Sequence, residues 1–231
     1  MSDWISFYDF KHSVIYVNAR HRDVHYRTIA TDIRAYVPSP TANVLDYGCG
    51  EASSADLVAA ASGHLTLVEA APNVRASLKA RYEANPKISV LTPDEAAAKP
   101  AASFDLIVMH SVAQYLSAAE LDRVLKIFRR LLKPDGLVIV GDIVPARFAA
   151  PYAALALLRF AIANGFFFAA VGGLMRIFVS DYLRLKKMVG LSHYDEAQML
   201  AKLKAAGYAA QRAPRNIGHN QQRMTFLARP V

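Results

Sequence analysis

Five short apolar runs follow one another between Asn43 and Val144, each separated from the next by a segment of helical character. They are VLDY (44–47), LTLVEA (65–70), ISVL (88–91), FDLIVMH (104–110) and LVIVGDIV (137–144). They are near-continuous rather than alternating apolar with polar residues, as a strand with one wet face does. A strand covered on both sides reads this way, and parallel sheets flanked by helices are where such strands occur. The intervening segments AAPNVRASLKARYEA and SAAELDRVLKIFRRLLK carry apolar residues at helical spacing. In the second, Leu121, Val124, Leu125, Phe128, Leu131 and Leu132 make one stripe, with Arg123, Lys126, Arg129 and Arg130 opposite. Ser117, with Glu120 three residues later, forms a capping box at its start. Strand, helix, strand in succession predicts a doubly wound α/β domain.

At 231 residues the chain suits one large domain better than two. Hydrophobic residues make up 54% and charged residues 20%, which excludes a disordered chain. Cys49 is the single cysteine, so no intrachain disulfide forms, in keeping with a reducing compartment. The start, MSDWISFYDFKH, mixes acids and aromatics where a signal peptide has a basic stretch and an apolar run. The expectation is a cytoplasmic protein. Charge is uneven: Met1 to Ala146 holds 15 Lys and Arg against 16 Asp and Glu, whereas Arg147 to Val231 holds 12 against 3. A basic surface concentrates anions, whether substrates, phospholipid headgroups or nucleic acid, or it is only a solvated face.

The glycine turn VLDYGCGEAS carries the first chemical signal. Gly48 and Gly50 remove side chains where a ligand must approach the backbone closely. Such a loop alone also fits nucleotide-dependent oxidoreductases. Asp46, two residues earlier, places a carboxylate beside the ligand, which suits a cationic amino group better than a pyrophosphate. Ser53 stands where the dinucleotide fingerprint has its last Gly or Ala. Glu69 ends the second strand 19 residues after Gly50, about the separation at which an acid accepts both ribose hydroxyls.

With these motifs in place, the chain resembles the class I S-adenosylmethionine-dependent methyltransferases over about residues 43 to 144. VLDYGCG resembles the family's first motif and LVEAAP its second; FDLIVMHSVAQYL resembles the fourth-strand motif, and LLKPDGLVIVGD the turn before the fifth strand. The resemblance implies a Rossmann-like, mostly parallel seven-stranded sheet with helices on both faces, and S-adenosyl-L-methionine as cofactor. It implies that Asp46, Gly48 and Gly50 face the methionine part of the cofactor, with Cys49 also in the cofactor-binding turn, that Glu69 binds its ribose, and that Ala70 flanks its adenine. Asp94 would sit near the adenine amino group, although Thr92-Pro93-Asp94 lacks the glycine usual before that acid. Ala52 replaces a third glycine often found in the loop. His110 and Ser111 lie next to the methionine end.

Three regions flank this cofactor-binding core (43–144): an N-terminal helical cap (1–40), an apolar insertion (145–191), and a last helix with two final strands (192–231). If the acceptor is a hydroxyl or protonated amine, a base must take its proton. His21, His25, His110, His193, His219 and Tyr115 are the candidates. In the family's sheet the loop between the last two strands, here PRNIGHNQQR (214–223), overhangs the acceptor, so His219 and His110 are the favoured pair, with Asn220, Gln221 and Arg223 beside His219. No Cys/His/carboxylate cluster has metal-ligand spacing.

The insertion's longest uncharged stretch, Phe160 to Met175, is 16 residues, short of the ~20 a spanning helix needs. Arg159 and Arg176 bracket it, and Arg184, Lys186 and Lys187 follow. A lid over a greasy acceptor pocket, peripheral membrane contact and plain packing remain open. The expected activity is methyl transfer to an O or N atom of a small hydrophobic or amphiphilic acceptor, lipid-like or anionic. The alternatives are a nucleic-acid methyltransferase, which the insertion's lack of interleaved aromatic and basic residues argues against, and a nucleotide-dependent oxidoreductase.

Overall fold

In the computed structural model the five apolar runs form five adjacent strands, counted from one edge, of a seven-stranded sheet in the order β3-β2-β1-β4-β5-β7-β6. The structure describes Asp9 and residues 16–146, 150–179 and 192–231. The strands are β1 (Asn43–Tyr47), β2 (His64–Val68), β3 (Ile88–Leu91), β4 (Phe104–His110), β5 (Leu132–Ile143), β6 (Tyr208–Arg212) and β7 (Met224–Pro230). β1 to β5 pair in parallel, and β7 runs antiparallel to both β5 and β6.

Because side chains alternate across a strand, each run feeds two cores at once. Leu45, Ile107, Met109, Val138 and Val140 point to one face. There they meet α5 (Ala118–Leu131) and α8 (Glu196–Ala205). Val44, Leu106, Val108 and Ile139 point to the other, under α1 (Ala19–Arg34), α2 (Asp56–Ala61) and α3 (Pro72–Tyr82). The doubly wound expectation therefore holds, with continuous apolar runs because both faces are dry.

The capping box of α5 is present, with Ser117 accepting from the Glu120 N–H and Glu120 from the Ser117 N–H. All of its expected stripe is buried, but Leu132 belongs to β5 and not to the helix. The fifth strand also starts earlier than its apolar run. Leu132 pairs with Phe104, the register then shifts, and Leu137 pairs with Leu106, so Lys-Pro-Asp-Gly is an irregularity inside the strand rather than a turn before it.

Two helices of the insertion are described, α6 (Ala150–Asn164) and α7 (Phe167–Val179). They form a hairpin whose own small core is Ala161, Phe166 and Ala170, with Val17, Leu157, Leu158 and Phe160 packed around it. The Arg20 guanidinium donates to the Asn164 carbonyl, tying the hairpin to α1. Its outward face leaves Ile162, Phe168 and Met175 exposed. No described helix is long and apolar enough to cross a membrane. Arg184, Lys186 and Lys187 lie outside the described residues, as does most of the stretch before Tyr16.

Candidate active site

The carboxyl ends of β1, β2, β4 and β5 open into a cavity of about 490 Å³, within the usual range for small-molecule sites. Its floor is the turn after β1. Gly48 has φ +72°, and a Cβ there would lie 2.4 Å from Val112 Cγ2. Neither the conformation nor the space admits a side chain. Ala52, where a third glycine is common, also takes a positive φ of 37°.

The N–H groups of this turn already have partners. Gly48 and Cys49 donate to the Val68 carbonyl at 2.7 and 3.2 Å. Gly50 donates to Glu69 Oε2 at 3.0 Å, and Glu51 to the Tyr26 hydroxyl at 3.0 Å. Binding a pyrophosphate takes such N–H groups, and here four consecutive ones are used internally. Glu69, 4% exposed, also accepts the Ala71 N–H at 2.8 Å through its other oxygen, so one carboxylate shapes the turn and the start of α3 together.

Asp46, Gly48, Cys49, Gly50, Glu69 and Ala70 all line the cavity. Asp94 does not: it is exposed in the first turn of α4 (Pro93–Ala97), and Pro93 reaches the cavity instead. Burial, and then the nearby Glu69 carboxylate, push the Asp46 pKa up to about 7. Burial likewise raises Glu69, against four lowering influences from backbone N–H groups and Arg75. Two crowded carboxylates at one end of a cavity favour a cation.

The other end is built from α1, the 214–223 loop and α6. Spacing along α1 puts His21, His25, Tyr26, Ile29 and Ile33 toward the cavity. The rings of His21, His25 and His219 form a triangle with centroids 6.1 to 6.3 Å apart. His219 stacks on Phe160 of α6 at 4.4 Å and His21 on Phe166 at 5.0 Å. Leu157 and Ala153 of α6 line the same space. Burial is the first cause that lowers the pKa of His21 to about 4, and it lowers His25, His110 and His219 as well. All four imidazoles are therefore neutral at pH 7.

Of the sequence candidates, His21, His25, His110, His219 and Tyr115 come together here, and His193 is exposed outside the cavity lining. No described group of three or more metal-ligating side chains has metal-site geometry. The network that sequence reasoning missed centres on Asp142, which has φ +62°. It accepts from the Ser111 hydroxyl at 2.6 Å and from Arg223 at 2.7 Å, and the Asn216 side chain reaches it at 3.4 Å. An acid inside the apolar run LVIVGDIV was the available signal. Tyr26 was missed too, although it shares a helical face with His21 and Ile33.

Comparison with known proteins bears on the fold and the family. Residues 44–136 match the family model described as a methyltransferase domain. No curated protein matches the chain. Among solved structures, the DhpI–SAH complex superposes with a TM-score of 0.62 at 12% identity, over 98% of this chain and 94% of that one. The mitomycin 7-O-methyltransferase MmcR gives 0.60 at 20% identity, over 99% of this chain and 61% of that one. The YcgJ protein from Bacillus subtilis gives 0.57 at 16% identity, over 81% and 70%. At these identities the likeness is one of fold.

Proposed function

We propose that this chain, a methyltransferase that uses S-adenosylmethionine and carries that domain on residues 44–136, methylates an oxygen or nitrogen of a small, neutral, largely apolar acceptor. The observation that carries this reading is the division of charge within one cavity. Asp46 and Glu69 crowd one end, and uncharged imidazoles with Leu157, Ile217 and the mutually paired Asp142 and Arg223 surround the other.

The residues present fit the cofactor. Gly48 leaves the floor bare, the Asp46 carboxylate has no hydrogen-bond partner among the described residues and so stands ready for an ammonium group, and each Glu69 oxygen retains a lone pair for a ribose hydroxyl. Cys49 and Ala70 would complete the walls. The cofactor supplies a methyl group on a sulfonium sulfur, already an activated leaving group. The chain's own work is then alignment and exclusion of water, to which the α6 surface over the cavity contributes. We read α6 and α7 as a lid on these grounds.

His219 is the base in this reading. Its imidazole is neutral at working pH and is held flat against Phe160, so it can take the acceptor's proton as the acceptor atom bonds to the methyl carbon. An anionic acceptor is less well matched than the charge of the last third suggested. Lys202 pairs with Asp122 and Arg212 with Glu196, and Arg223, which lines the cavity, is bound to Asp142.

Isothermal calorimetry tests the cofactor reading directly. S-adenosylhomocysteine should bind and NADH should not; NADH binding in its place would overturn it. His219→Asn, with a panel of neutral aromatic and aliphatic alcohols and amines as acceptors, should lower kcat at least tenfold with little change in cofactor affinity.

A further inference from the structure

One imidazole in the cavity has its hydrogen-bonding role set by its surroundings. His110 ends β4 and pairs in register with Gly141 of β5. Its Nδ1 is fully buried and has no hydrogen-bond partner. A Cβ built on Gly141 would lie 2.8 Å from that nitrogen, so the Gly141 Cα–H that occupies this direction is aimed at Nδ1. A proton on Nδ1 would meet a C–H bond and no acceptor. A lone pair there meets a weak C–H donor instead, and buried N–H groups without acceptors are the rarer defect. The neutral ring therefore carries its proton on Nε2.

Nε2 is the nitrogen left to the cavity. It lies 3.9 Å from where a Gly218 Cβ would stand, and no described residue hydrogen-bonds to it. A histidine acting as general base through Nε2 needs the opposite tautomer, with Nδ1–H held by an orienting group. Asp142 is the neighbouring carboxylate, and its oxygens are engaged by Ser111, Arg223 and Asn216. The charged and titratable groups acting on His110 are Asp142, Arg223 and Asp32, and it acts in turn on His25 and His219. The 3.9 Å approach of the ring to the Gly218 position puts it at the end of the cavity formed by the 214–223 loop.

We propose that His110 presents Nε2–H as a hydrogen-bond donor to the acceptor, which selects a neutral, largely apolar molecule bearing a carbonyl or hydroxyl oxygen close to the methylated atom. This rests on the methyltransferase reading for the meaning of the cavity and makes His110 a specificity-determining donor rather than a base. Across an O- or N-methylation the donor holds the acceptor oxygen in place while the proton leaves toward His219.

The experiment is long-range ¹H–¹⁵N spectroscopy of ring-labelled protein saturated with S-adenosylhomocysteine, between pH 6.5 and 8.5, with His110→Gln assigning the resonances. His110 should show a protonated Nε2 and an unprotonated Nδ1 throughout; an Nδ1–H tautomer or an imidazolium overturns the proposal. Acetophenone should then shift the Nε2 signal while ethylbenzene, its match in shape without the oxygen, should not. Equal shifts, or none, overturn the claim about the acceptor oxygen. Acetophenone affinity should fall about tenfold in His110→Phe and be largely retained in His110→Gln. The same spectra are recorded on the unliganded protein, where the His110 tautomer is read independently of the cofactor; failure of S-adenosylhomocysteine to bind would instead sink the methyltransferase reading.

Discussion

Asp46 is the residue whose ionisation should be most visible from outside. Its pKa is pushed up to about 7 by burial and then by Glu69. Between its ordinary value and 7, the folded chain holds a proton that the unfolded chain has released. Asp46 therefore withdraws stability as pH rises through that window and adds none above it. In the proposed site the ligand's ammonium group favours the ionised carboxylate and so expels the same proton; calorimetry should therefore show affinity for S-adenosylhomocysteine, which keeps that ammonium, falling about tenfold from pH 8 to pH 6, and Asp46→Asn should flatten that slope. At Glu69 the expected loss is larger. Glu69→Ala removes the acceptor of both the Gly50 and Ala71 N–H groups as well as the proposed ribose contact, and should abolish measurable binding. Glu69→Gln, which keeps one acceptor oxygen, should bind weakly and stay folded by circular dichroism. Both acids were legible in the sequence because each stands at the end of an apolar run. Asp142 was not, because its partner Arg223 lies 81 residues away.

Helix α5 shows how far local chemistry alone specifies an element. Its cap, its stripe and its basic last turn are all written within about four turns of chain, and the structure uses each of them. Ser117→Ala should cost about 1 kcal/mol, lowering the melting temperature by roughly 2–4 °C in a calorimetric scan, with cofactor affinity unchanged. Helix α1 is a different case. It links the two ends of the cavity, because the Tyr26 hydroxyl accepts the Glu51 N–H of the glycine turn and Asp32 accepts the Gly218 N–H of the 214–223 loop. Helical periodicity predicts that α1 exists, but not which distant loops its polar groups will meet.

The α6–α7 hairpin has its own small core and few ties to the sheet, so it should open on its own. Phe166 is 3% exposed and stacks on His21. Its replacement by Ala should cost about 3–5 kcal/mol locally. Hydrogen exchange in 150–179 should then accelerate while β1, β4 and β5 keep their protection; uniform loss of protection would show the hairpin to be part of the main cooperative unit. The exposed Ile162, Phe168 and Met175 lie on the side of the hairpin away from this core.

The alternation of apolar runs with helical segments determined the doubly wound class and the positions of Asp46 and Glu69 at strand ends that line the cavity, because each of those signals is local to its element. What only the tertiary structure decided is the use of the histidines. His21 and His25 come from the first helix, His110 from the fourth strand and His219 from the last loop, and their spacing along the chain carries no trace of their meeting. Packing brought them together, burial made them neutral, and a glycine across the sheet settled which nitrogen of His110 holds the proton, since each of these is a contact between residues far apart in sequence.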